Sequence, residues 1–145
     1  MKTKYSFLSL VFLLVFTCVT YAQQTITLVC NSERLSEESP TEACYFVGGE
    51  GVNPEEFTTY ATVGEEITWV GESSTEDDTI DITMIKIKRG RNIFDSDELP
   101  GERSVIGQIM RATPEDDPYV YRIFFKVNST GKNYQIDPII KVKDR

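Results

Sequence analysis

The chain has 145 residues, of which 15 are basic and 23 acidic, with a net charge of −8 at neutral pH. An acidic balance of this size excludes nucleic acid as an expected partner, because binding to a phosphate backbone rests on cationic charge. The chain contains no histidine, which removes Ser–His and Cys–His nucleophile activation and most zinc, copper and non-haem iron sites.

Residues 1–22 read as an export signal. Lys2 and Lys4 precede an apolar run from Phe7 to Val19, and Thr20-Tyr21-Ala22 sets small residues at the first and third positions before a cut. Cleavage after Ala22 leaves Gln23 first and one domain over residues 23–145, the commonest single-domain size. A lipoprotein reading would instead cut before Cys18, where Phe16-Thr17 stand in place of the small residues such sites want. The run is short for a membrane span, and no later segment approaches one. The expected location is therefore secreted or periplasmic. Removing Lys2 and Lys4 from the 15 basic residues leaves 13 against 23 acidic ones, a net charge of −10. From Gln23 to Asp78 there are 13 acids and one base, Arg34; from Thr79 onward, 10 acids and 12 bases.

Thr25 to Val29 is β-branched and alternating, a first strand leading into Cys30. In an exported chain Cys30 and Cys44 read as a disulfide closing a polar loop whose only large apolar residue is Leu35. Cys44 to Val47 is a second strand, stopped by Gly48-Gly49-Glu50-Gly51. Phe57 to Val63 and Ile67 to Val70 form the next two, read as a hairpin turning at Gly64. The second carries the single tryptophan, with Ile67 and Trp69 on one face. Glu72 to Asp78 is an acidic loop. From Thr79 to Lys88 the apolar positions run Ile80, Ile82, Met84, then Ile85, Ile87, a phase slip that predicts a β-bulge.

Ile93-Phe94 is a brief return, Asp95 to Arg103 a loop, and Ser104 to Ala112 a strand candidate interrupted by Gly107. Tyr119, Tyr121, Ile123, Phe125 and Val127 share one face of the next strand, with Arg122 and Lys126 on the other. After a hairpin loop, Tyr134, Ile136, Ile140 and Val142 repeat that period, with Pro138 in phase at an expected bulge or open edge. No segment has convincing helical periodicity. About seven or eight short strands in this length predict an all-β, two-sheet antiparallel β-sandwich of immunoglobulin or cupredoxin type.

The carboxylates single out no catalytic pair: Glu55-Glu56, Glu65-Glu66 and Asp116-Asp117 all sit in turns. Glu76-Asp77-Asp78, Asp95 to Glu98 and Glu115 to Asp117 are oxygen-rich clusters that a hard cation such as calcium favours, but none follows the twelve-residue calcium loop. Lys86, Lys88, Arg89 and Arg91 read as a solvated strand face or a patch for an acidic ligand. Tyr119, Tyr121 and Phe125 read as core rather than a sugar platform, and Asn128-Ser129-Thr130 fits a glycosylation acceptor.

The run from Phe57 to Gly71, a strand, a Val-Gly-acid turn and an Ile-Thr-Trp strand, resembles the early strands of cupredoxin-type sandwiches. That resemblance implies sandwich architecture without metal, since the family's histidine, cysteine and methionine ligands have no counterparts here. The same Ile-Thr-Trp segment, with Tyr134-x-Ile136-Asp137-Pro138-x-Ile140-x-Val142, also resembles small secreted bacterial proteins of unknown function and implies no activity.

The expected function is binding or structural, without catalysis and without a cofactor. The alternatives are a carboxylate-dependent hydrolase acting on a polysaccharide, or a calcium-binding module. A protein, a glycan or a cell-surface component is the expected partner. Its expected place, for a partner or an ion, is the acidic group Glu76, Asp77 and Asp78, with Glu55-Glu56 and Glu65-Glu66 beside it at one end of the sandwich.

Overall fold

A computed structural model describes residues 22–145, except 37 and 76. The export signal and the Cys18 alternative therefore lie outside the described residues, apart from Ala22. No helix among the described residues is long and apolar enough to cross a membrane.

Ten strands fold into two facing sheets: β1 (Gln23–Cys30), β2 (Cys44–Phe46), β3 (Thr58–Thr62), β4 (Glu66–Ser73), β5 (Ile80–Arg89), β6 (Glu98–Pro100), β7 (Ser104–Gln108), β8 (Tyr119–Val127), β9 (Asn133–Ile136) and β10 (Ile139–Lys143). One sheet has the order β2-β1-β4-β7; the other runs β3-β10-β8-β5-β6, with β9 also paired to β8. The sandwich expected from the strand pattern is present, with more strands than expected. Its sheets are mixed rather than antiparallel, because β1 runs parallel to β4 and β10 parallel to β3.

The alternation of apolar residues decides which side of each strand is buried. Ile26, Leu28, Ile67, Trp69 and Val105 point inward from the first sheet; Ile80, Ile82, Ile85, Tyr121, Ile123, Phe125 and Ile140 meet them from the second. Trp69, 1% exposed, donates its indole N–H to the Tyr121 hydroxyl at 3.1 Å. Phe94 and Tyr121 pack edge-on against its ring, with centroids 5.8 and 5.7 Å away. The Ile93-Phe94 stretch is thus a loop that fills the core, not a strand. Gly107 makes room for it: a Cβ there would lie 2.6 Å from Leu99 Cδ1 and 3.0 Å from Phe94 Cε1.

Two further expectations change and a third is met. The turn at Gly64, with φ +91°, does not close a hairpin: β3 belongs to the six-stranded sheet and β4 to the other, so the turn bridges the layers. The phase slip in β5 is a bulge at Thr83, as expected, and a second register shift follows at Lys88. At Pro138 there is neither a bulge nor an open edge. Pairing with β8 keeps its register from Ile136↔Ile123 to Ile139↔Val120, and the Pro138 carbonyl accepts from Tyr121 N–H at 3.1 Å. The proline forgoes one ladder bond and divides β9 from β10.

Cys30 and Cys44 form the expected disulfide and face each other directly across β1 and β2. The loop between them is better anchored than its polarity suggests. Leu35 is buried in the core, and its carbonyl accepts from the Tyr134 hydroxyl at 3.1 Å. A one-turn helix, α1 (Pro40–Ala43), ends the loop; Pro40 starts it and Glu42 accepts from the Ser39 N–H at 3.3 Å.

Candidate functional site

Every lysine and arginine that lies within a strand is on the six-stranded sheet: Lys86, Lys88 and Arg89 on β5, Arg122 and Lys126 on β8, Lys141 and Lys143 on β10. Only Asp81 and Glu98 oppose them within its strands. The other sheet carries no cation in its strands and two acids, Glu66 and Glu72. Buried strand neighbours set Lys86, Arg122, Lys126, Lys141 and Lys143 on the outer face, and Lys88 and Arg89, adjacent at a register shift, line one cleft there with Asp137. Lys86 stands opposite Arg122, Arg89 opposite Val120 and Lys141 opposite Tyr60.

At the centre of this face Asp137, 8% exposed, follows β9 where Pro138 interrupts the strand. It accepts from Arg122 Nε at 2.7 Å and Nη2 at 3.0 Å, a two-pronged pairing, and also from the Lys88 ammonium. The bulge at Lys88 lets that side chain reach across β8. Burial alone would raise the Asp137 pKa, but the hydrogen bonds from Arg122 and Lys88 outweigh it and hold the carboxyl below its ordinary value. A cleft of about 260 Å³ opens beside the cluster, lined by Glu55, Lys88, Arg89, Val120, Asp137 and Ile139. The Glu55 charge contributes to the field at Arg122, whose pKa is raised first by its hydrogen bond to Asp137.

A carboxyl with a depressed folded pKa stabilises the fold at pH values above its unfolded pKa, near 4, and loses that contribution as pH falls through the folded pKa. Replacing Asp137 with Asn removes the charge from between Arg122 and Lys88, and Lys86 then faces Arg122 with less compensation. The expected cost is about 2 kcal/mol at neutral pH. Acid unfolding of Asp137→Asn, followed by circular dichroism, should differ from wild type at pH 6 and converge with it towards pH 2. Equal stability at pH 6 would show that the cluster contributes nothing.

Four of these seven strand cations, Arg89, Lys126, Lys141 and Lys143, make no ion pair among the described residues; outside the strands the same holds of Arg91, Arg103, Lys132 and Arg145. Lys86 is paired with Glu98. A groove of about 490 Å³ lies at the β3–β10 edge, where Tyr60 is 65% exposed.

Among the described residues, the acids expected at one end of the sandwich stand in different places. Glu76 lies outside the described residues, and Asp77 is exposed. Asp78 stands near Ser129 and Ser32, whose hydroxyls hold its carboxyl below the ordinary value. Glu65 accepts from Thr62 N–H at 3.1 Å and from the Thr62 hydroxyl at 2.7 Å, closing the Gly64 turn. Glu65-Glu66 stand at the start of β4 and Asp77-Asp78 follow its other end, with the length of the strand, roughly 25 Å at strand rise, between its two ends. Glu55 belongs to the Asp137 cleft. No group of three or more His, Cys, Asp or Glu side chains placed to hold a metal occurs among the described residues. Strand alternation marked Lys86 and Lys88 as outward facing, but the partnering of β8, β9 and β10 that builds the face around them has no local sequence signal.

No protein-family model matches the chain, and no curated protein matches it. Among solved structures it is similar to an inclusion body protein (PixA) from Burkholderia cenocepacia, with 10% identity and a TM-score of 0.55 over 88% of this chain and 99% of that one. It is also similar to Fet3p, a multicopper oxidase that functions in iron import, with 12% identity and a TM-score of 0.36 over 85% of this chain and 28% of that one. The first likeness shows a shared fold; the second is too low to carry an argument.

Proposed function

We propose that the protein is an exported β-sandwich that binds rather than catalyses, and that the outer face of its six-stranded sheet meets an anionic partner. The observation that carries this reading is the segregation of charge. A chain of net charge −8 places all seven of its strand cations on one face, and four of them are left without an ion pair among the described residues. Surface ion pairs contribute little to stability, so the gathering of every strand cation on one sheet, four of them unpaired, supports a partner rather than a role in the fold. The disulfide and the N-terminal leader pattern support export. The description of the structural neighbour as an inclusion body protein agrees with a packing or binding role.

The test is charge reversal read by affinity for polyglutamate, a flexible polyanion without sugar. Lys126→Glu with Lys141→Glu should weaken binding by about tenfold or more, and wild-type affinity should fall as salt rises. Asp77→Lys with Asp78→Lys should not weaken it. The reverse pattern with a cationic polymer, polylysine, would move the site to the acidic residues at the end of β4.

A further inference from the structure

Tyr60 is the most exposed of the large apolar side chains described, at 65%, although its strand neighbours Thr59 and Ala61 are buried. It forms one side of the groove at the β3–β10 edge, with Thr113, Glu115, Lys141, Lys143 and Asp144 around it and Ala112 and Val142 completing the lining. Tyr60 and Lys141 are direct partners in the parallel pairing of β3 with β10. The far bank is fixed by backbone. Thr113 N–H donates to the Val142 carbonyl at 3.1 Å, and the Thr113 hydroxyl accepts from Val142 N–H at 3.0 Å. The groove is thus largely formed in the free protein, which lowers the entropy cost of filling it.

Its chemistry is specific. Four charged side chains line the groove, two of each sign, and none of them pairs with another among the described residues. An aromatic face, two uncommitted ammonium groups and two uncommitted carboxylates together suit a ligand with a flat apolar face, a carboxylate and hydroxyls. We infer that this groove binds a uronic-acid residue of an anionic polysaccharide, with the sugar ring against Tyr60. The sugar carboxylate lies between Lys141 and Lys143, and its hydroxyls donate to Glu115 and Asp144. A volume of about 490 Å³ falls in the range of small-ligand sites. A free amino acid would satisfy the groove alone. A polymer of repeating carboxylates also uses the unpaired Lys126 and Arg89 farther across the same sheet, so the polymer is the ligand the face favours. This inference rests on the cationic face being the binding surface and adds the class of partner.

Titration calorimetry with a tetrasaccharide of galacturonic acid tests it, with a neutral tetrasaccharide and polyglutamate as the other arms. Tyr60→Thr keeps a strand-forming residue at the exposed edge and removes the ring. It should weaken the galacturonate tetrasaccharide by about tenfold while leaving polyglutamate within about twofold of wild type. The neutral tetrasaccharide should bind about tenfold or more weakly than the acidic one. Equal affinity of Tyr60→Thr and wild type for the acidic tetrasaccharide overturns the groove assignment, as does equal binding of acidic and neutral sugars. If polyglutamate binding still depends on Lys126 in that case, the cationic-face reading stands without the groove. Failure of every anionic probe to bind overturns both.

Discussion

Replacing Trp69 with alanine should destabilise the fold by about 3–5 kcal/mol, the cost of emptying a fully buried aromatic site. Small domains are stable by only about 5–15 kcal/mol, so this one change removes a third or more of the total. Trp69 fills the space between the sheets where Phe94, Tyr121 and Val105 meet, and its loss also leaves the Tyr121 hydroxyl without its donor. Tyr121→Phe isolates that hydrogen bond: it leaves a buried indole N–H unpaired and should cost about 1–3 kcal/mol. Urea unfolding followed by circular dichroism reads both variants, since Trp69 is the only tryptophan. A loss under about 1 kcal/mol for Trp69→Ala would mean that the core does not depend on this contact.

The second large effect belongs to the disulfide. Replacing Cys30 and Cys44 together with alanine should lower stability by about 3 kcal/mol, the loop-closure value for a separation of 14 residues. The loss should be local before it is global. Without the disulfide the loop keeps buried Leu35 and Ala43, the Tyr134–Leu35 hydrogen bond, the Asn31–Ala43 backbone bond and the Ser32–Thr75 hydroxyl contact, fewer ties than the strands have, so amides in residues 31–43 should exchange earlier than those of β4 and β8. Unchanged exchange in that loop would show that these contacts anchor it without the covalent link. Thiol counting on protein harvested directly into alkylating agent should find neither Cys30 nor Cys44 free before reduction.

Much of the fold follows from period-two patterning, and its limits are physical. Alternation states which residues share a face, so the core positions of β8, the inward Ile67 and Trp69 and the bulge in β5 were all legible. It does not state which strand lies alongside. The segments flanking Gly64 look like a hairpin because two alternating runs join at a glycine turn. They part into different sheets because each finds a parallel neighbour instead, β10 for one and β1 for the other. Parallel partners far apart in sequence leave no local signal. Leu35 was visible only as a lone apolar residue; its burial depends on β9 passing beneath the loop, which brings Tyr134 to it.

The candidate site was less legible for a related reason. Net charge averages over a surface, and an overall acidic chain concealed a sheet face that is locally cationic. The contrast in charge between the two halves of the sequence carries into the fold only in part. Strands of the second half dominate the six-stranded sheet, but β3 joins them and β7 crosses to the other layer. Asp137 appeared only as part of a strand pattern with Pro138. Its role as the carboxylate that holds Arg122 and Lys88 depends on the register across β8 and on the bulge at Lys88.

If the outer face of the six-stranded sheet is where an anionic partner sits, backbone amide shifts of nitrogen-labelled protein during titration with polyglutamate will map to it. Shifts should concentrate on β5, β8 and β10 around Lys86, Arg89, Lys126 and Lys141 and fade as salt is raised. Shifts confined to the four-stranded sheet, or to the loop holding Asp77 and Asp78, would contradict that placement.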